Sequence, residues 1–108
     1  MKDLSSTFAA LGDGTRFAIV EKLLSDGELS AGTLQEDIAL TPPAVSRHLK
    51  VLRNAGIIQQ RVDKQRRMYS VRAEAVQAIS AWAMKHKEFW ENSLDRLEMV
   101  LVEETSRK

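Results

Sequence analysis

The chain has 108 residues, is 44% hydrophobic and 29% charged, and carries a net charge of only +1, which suits one folded domain of the common ~100–200 residue size. It contains no cysteine, so disulfides, thiolate metal sites and thiol redox sensing are excluded. The N-terminal stretch lacks the apolar run of a secretory signal, and nothing approaches the ~18 apolar residues of a membrane span, so a cytoplasmic protein away from the membrane is expected.

In chain order, Leu4, Phe8 and Leu11 share one helical face, and Gly12 ends that helix before Asp13 caps the next. In the second helix, from Thr15 to Ser25, Phe17, Val20, Leu23 and Leu24 recur at helical spacing and predict the buried face, with Gly27 as the stop. Ser30 or Thr33 caps a short third helix in which Leu34 and Ile38 lie one turn apart. Only Ala39 and Leu40 separate it from the next cap, Thr41, which predicts a helix-turn-helix over residues 30–55. Pro42 at the first helical position strengthens that start, and Gly56 closes the fourth helix.

Beyond Gly56, Ile57 to Val62 and Arg67 to Val71 are β-prone and flank the polar turn Asp63 to Arg66, predicting a hairpin with a loop of about four residues. This is a wing, spanning 57–72, with Tyr69 and Val71 packing on the body. From Ala73 onward the chain has no proline or glycine, and Val76, Ile79, Ala83, Trp90, Leu94, Leu97 and Leu101 repeat every three to four residues, predicting one long final helix, either continuous or interrupted. The expected fold is mainly α with a small β-hairpin wing: a winged helix-turn-helix of five helices, forming a single domain over 1–108, and dimeric.

Charge is concentrated on that central stretch. Between Thr41 and Val71, Arg47, Lys50, Arg53, Arg61, Lys64, Arg66 and Arg67 oppose Asp63 alone, about +6 in a chain of +1. This is the footprint of a polyanion-binding surface, and it leaves about −5 for the rest of the chain. On the fourth helix Val45, Leu49 and Leu52 face the core, leaving a polar, mostly cationic arc. Near its N-terminus, Thr41, Pro43, Ala44, Ser46, Arg47 and His48 are the candidates for reading base edges in a major groove. Lys50 and Arg53, further along, suit phosphates, as do Arg16 and the wing cations Arg61, Lys64, Arg66 and Arg67.

The runs AALGDGTRFAIVEKLL, AVSRHLKVLRNAGII and RRMYSV closely resemble the ArsR/SmtB family of winged-helix bacterial transcriptional repressors. The family's (D/N)-x-T-R helix start and S-x-H-L-x-x-L-x-x-A-G-(L/I) recognition helix are matched, after Leu11, by Asp13, Thr15, Arg16, Ser46, His48, Leu49, Leu52, Ala55, Gly56 and Ile57. Ala39 stands where many members carry glycine, and Gly14 where proline is usual. The resemblance implies a homodimer that binds a double-stranded DNA operator near a promoter and blocks transcription. The tail is similar to one metal-independent branch, whose F-W-x-x-x-L-D-R-L-E run is matched by Phe89, Trp90, Leu94, Asp95, Arg96, Leu97 and Glu98.

Dimerisation also follows from the residues. A continuous helix from Ala73 to Glu103 spans roughly 45 Å, against a radius of gyration near ~13 Å for a domain of this size. One subunit cannot cover it. Ile79, Trp82, Ala83, His86, Phe89, Trp90, Leu94, Leu97 and Leu101, with Leu4, Phe8 and Leu11 from the first helix, form the expected dimer seam over residues 1–12 and 73–104.

No metal or other cofactor is expected. The run Glu28 to Gly32 has no thiolate where the family's classical sensors place one, and the last helix offers a single histidine, His86. An enzyme is not expected either, because no phosphate loop, nucleophile–base pair or marked carboxylate pair is present. The leading expectation is therefore a homodimeric, metal-independent repressor, which could be autoregulatory, on a palindromic operator with no inducer identified. The alternatives are a repressor released by a metal or small molecule at the dimer interface, and a protein-interaction module that has lost DNA binding.

Overall fold

Each of the first four helices opens on a side chain that caps it, which fixes where the chain turns. In the computed structural model, which describes residues 3–106, Asp3 accepts from Ser6 N at 2.7 Å to start α1, Leu4–Leu11. Asp13 accepts from Arg16 N at 3.0 Å to start α2, Gly14–Asp26. Ser30 accepts from Thr33 N at 3.1 Å to start α3, Ala31–Asp37. Thr41 accepts from Ala44 N at 3.4 Å to start α4, Pro42–Asn54, with proline in its first turn. Each cap satisfies an otherwise orphaned N–H and is worth about 1 kcal/mol.

The end of α4 is equally defined. Gly56, at φ 77°, donates to Arg53 O, and Ile57 donates to Leu52 O, both at 3.0 Å, the double bond of a Schellman motif. Its usual apolar contact is supplied by Leu52 and Ile57, both buried. The chain then enters β2, Ile58–Asp63, and returns on β3, Arg66–Val71.

These strands belong to a three-stranded antiparallel sheet of order β1-β3-β2, in which β1 is the two-residue segment Leu29–Ser30. Leu29 pairs with Tyr69 and Ser30 with Met68, while Ile58 pairs with Val71 and Asp63 with Arg66. Two expectations change here. The wing is not a lone hairpin, since β1 covers the free edge of β3. Its loop is two residues, Lys64 and Gln65, instead of four, because the ladder continues to the Asp63–Arg66 pair. Closing so short a loop places Lys64 in the left-handed region, at φ 59°.

Residues 1–77 form one compact unit. Its core is built on Ile19, Leu34, Val45, Leu49, Leu52 and Ile58, all essentially inaccessible, with Ala10, Val20, Leu23, Ile57 and Tyr69 around them and Leu11, Ile38 and Val71 packed against its margin. The buried face of α2 is therefore Ile19, Val20 and Leu23. Phe17 and Leu24, expected inside, are exposed. Helix α2 is apolar on more than one side, so spacing alone selects the wrong arc. Lys22 links α2 to α3, reaching Asp26 at 3.0 Å and Asp37 at 2.9 Å.

Residues 78–108 form the second unit. The final helical stretch, whose continuity the sequence leaves open, is two helices, α5, Ala73–Lys85, and α6, Lys87–Ser106, making six helices among the described residues. They part at His86, whose N–H reaches Ala83 O at 3.3 Å, a bond spanning three residues that tightens the last turn of α5. The 45 Å span holds only for an unbroken helix; the longer piece, α6, has 20 residues, about 30 Å at the usual rise. The apolar surface stands, since Trp82, Phe89, Trp90, Leu94, Leu97 and Leu101 are all exposed.

Candidate nucleic-acid interface

The recognition surface starts from the burial of one side of α4. With Val45, Leu49 and Leu52 in the core, Thr41, Pro43, Ser46, Arg47, Lys50 and Arg53 emerge exposed, and Ala44 is half-buried. Arg47, Lys50 and Arg53 form no ion pair among the described residues, so three guanidinium and ammonium groups remain available to an external anion. Arginine's planar fork matches guanine O6 and N7 or a phosphate, whereas lysine acts as a point charge.

On the wing, the cations divide into two kinds. Lys64 and Arg67 are exposed and have no ion pair among the described residues, and Arg66 makes a long contact with Asp63, 3.4 Å. Arg61 is engaged: its Nε donates to both oxygens of Glu28 at 2.9 and 2.8 Å, and its NH2 adds a third bond. Hydrogen bonding from Arg61 holds the Glu28 carboxyl below the usual range, and the same bonds raise Arg61. Phosphate must compete with Glu28 for that guanidinium.

Comparison with known proteins places this geometry. The family model described as "Bacterial regulatory protein, arsR family" matches residues 13–60, which run from the α2 cap into β2. The HTH-type transcriptional regulator Rv2034 of Mycobacterium tuberculosis is 44% identical over 70 residues, 65% of this chain and 64% of that regulator. The chain belongs to the ArsR family. It thus spans slightly less than two thirds of the length of that relative. The transcriptional repressor SdpR of Bacillus subtilis is 29% identical over 91 residues, 84% of this chain and all of SdpR. The crystal structure of the ArsR family transcriptional regulator RHA00566 superposes with a TM-score of 0.74 at 28% identity, covering 82% of this chain and 96% of that one.

Two residues grouped by sequence with the DNA-contacting set of this ArsR-family chain occupy different surroundings. Arg16 is mostly buried, its side chain 19% exposed. Its Nε donates to Ala10 O at 2.7 Å, while NH1 lies 3.4 Å from His48 Nδ1 and 3.9 Å from Asp13 Oδ2. His48, 22% exposed, turns toward the same group, 4.0 Å from Asp13 Oδ1. The Arg16 backbone N–H, followed by the charge of Arg16, holds the Asp13 carboxyl below its usual range. Asp13 and Glu28 contact Arg16 and Arg61 but are not among the candidate site residues that the sequence singles out. Asp13 is legible as a cap and as part of the helix-start motif, whereas Glu28 lies 33 positions from its partner, so no local pattern reveals it.

The seam residues divide too. Leu4 and Leu11 are half-buried, Leu11 against the core of its own subunit, while Phe8 is 41% exposed. In the second unit, the Trp82 and His86 rings stack tilted at 5.4 Å, and Phe89 and Trp90 meet edge to face at 5.3 Å. Ile79 and His86 are half-buried and Ala83 is exposed. Among the described residues no group of three or more His, Cys, Asp or Glu side chains is placed to hold a metal ion, and no helix is long and apolar enough to cross a membrane.

Proposed function

We propose that two copies of this chain pair through α1 and the apolar face of 78–105, and bind duplex DNA with one α4 in each of two successive major grooves. Two-fold pairing sets the recognition helices about one DNA turn, ~34 Å, apart, so the operator is a near-palindrome. Thr41, Pro43, Ala44, Ser46 and Arg47 read base edges, Lys50 and Arg53 hold phosphates, and Lys64, Arg66 and Arg67 bring the wing against the backbone. Occupancy of a site overlapping a promoter represses transcription, the activity that the name of SdpR records for that relative. No metal gates the binding: the segment Glu28 to Gly32 offers no thiolate.

The observation that carries this reading is the α4 arc itself. Three cations, without an ion pair among the described residues, stand on a helix whose opposite face is locked in the core by three residues at 0–2% exposure, which presents a basic helix face to solvent. Selection from a random-sequence duplex library, followed by gel shift with and without chelator, tests it. A palindromic consensus bound equally in both conditions is expected. Binding with no sequence preference, or only with added metal, refutes it.

A further inference from the structure

Arg16 joins three parts of the fold that need not have met. Ala10 O is one of the carbonyls left without a partner where α1 ends at Leu11, and Arg16 Nε satisfies it at 2.7 Å. The same guanidinium sits over Asp13, the α2 cap, at 3.9 Å and reaches His48 Nδ1 on α4 at 3.4 Å. Arginine suits this place because its rigid planar fork can bond in two directions at once, whereas lysine's donors sit on one compact charge. With its side chain 19% exposed, Arg16 is poorly placed for phosphate, while His48 lies on the recognition helix between Arg47 and Leu49.

We propose that Arg16 is a positioning residue for operator reading: through Ala10 O and His48 Nδ1 it fixes the rotation of α4 relative to α1, and it contacts no phosphate. This rests on the DNA-binding reading above. His48 then serves as the acceptor that receives the tie, and Asp13 keeps the guanidinium in place. Because α1 is the helix assigned to subunit pairing, the tie also sets the α4 of one subunit against the two-fold axis.

The test uses the full-length chain and two probes: the duplex recovered by selection with wild-type protein, and a scrambled duplex of the same length. Arg16→Lys, Arg16→Met, His48→Asn, His48→Leu and the Arg16→Met/His48→Leu double variant are titrated over a range of salt, after circular dichroism shows each to be folded at the assay temperature. The asparagine amide oxygen stands in for Nδ1 as acceptor. The expected result is a loss of about tenfold or more on the selected duplex for Arg16→Lys, Arg16→Met and His48→Leu, the worth of a displaced base contact, with unchanged affinity for the scrambled duplex and unchanged salt slope. His48→Asn restores binding, and the double variant loses no more than either single change. A purely structural role lowers both duplexes together. If Arg16→Lys binds like wild type while Arg16→Met flattens the slope by about two per dimer, Arg16 is a phosphate contact and the proposal is overturned. Additive losses, or equal losses on both duplexes, also overturn it. Should Arg16→Met fail to fold, His48→Leu against His48→Asn decides alone. Wild-type protein that binds neither duplex overturns the DNA-binding reading together with this one, whereas the other failures leave that reading standing.

Discussion

Lys64 holds the wing tip in a conformation that costs an L-residue with a Cβ roughly 1–2 kcal/mol. It does so at φ 59° in a two-residue loop that the Asp63–Arg66 pair forces closed. Glycine removes that strain but gives the unfolded chain more freedom, a cost of about 0.5–1 kcal/mol. Lys64→Gly should therefore stabilise the protein by about 0.5 kcal/mol, raising Tm by roughly 2–4 °C for a domain of this size. Its effect on DNA should have the opposite sign. Removing one phosphate contact per subunit flattens the log–log salt dependence of a dimer by about 1.8, and if that contribution vanishes near 1 M salt, affinity at 0.1 M falls about 60-fold. Differential scanning calorimetry and salt-titrated fluorescence anisotropy on the same preparation measure both. Lys64→Asn, which also tolerates the left-handed region, should behave similarly. A variant that is less stable, or that keeps the wild-type salt slope, refutes the argument that the ammonium is kept at the tip for binding and at the expense of local strain.

Other perturbations probe different parts of the molecule. Glu28→Gln should free Arg61 and steepen the salt slope by about two per dimer, tightening binding at low salt; an unchanged slope would show that Arg61 never meets DNA. Gly14 sits at the first position of α2 with nothing within 4 Å of a built Cβ, after an Asp13 that is already extended at φ −86°, ψ 128°. Gly14→Pro should add about 1 kcal/mol in urea unfolding, and a loss would contradict that geometry. Leu97→Glu should shift sedimentation equilibrium toward monomer, whereas an undisturbed dimer would place the interface elsewhere. Asp13 and Glu28 both have lowered carboxyl pKa values, so their contributions are complete above the unfolded value near ~4 and lost as pH falls through the folded one. The urea midpoint should thus decline below about pH 4, less steeply in an Asp13→Asn/Glu28→Gln variant, and identical slopes in the two proteins would exclude these groups.

What could be read from the chain alone follows from how local each signal is. Helix α4 was fully legible because its cap, its first-turn proline, its core triad of Val45, Leu49 and Leu52 and its glycine stop all lie within sixteen residues, 41–56. Strand β1 was not, since two residues carry no periodicity and become a strand only by pairing with Met68 and Tyr69. The wing loop misled because a tight turn normally advertises itself with glycine or asparagine, and Lys64 adopts that role without the usual chemistry. At His86 the helix is interrupted without proline or glycine, so no residue marks the joint. Arg16 and Arg61 were grouped as DNA contacts on charge, and His48 on its place near the start of α4. Their partners within the fold, Ala10, Asp13 and Glu28, come together only in three dimensions.

Ser30 has a consequence for how this scaffold can be altered. It pairs with Met68 as the last residue of β1 and, with no intervening residue, caps α3 through Thr33 N. The sheet and the first helix of the helix-turn-helix therefore share a residue and have no slack between them. Inserting a residue there would break either the ladder or the cap. By contrast, the Lys64–Gln65 tip touches neither β1 nor the α3 cap, so tags and length changes should leave the fold intact there, while weakening the wing's DNA contact, and be rejected at this seam.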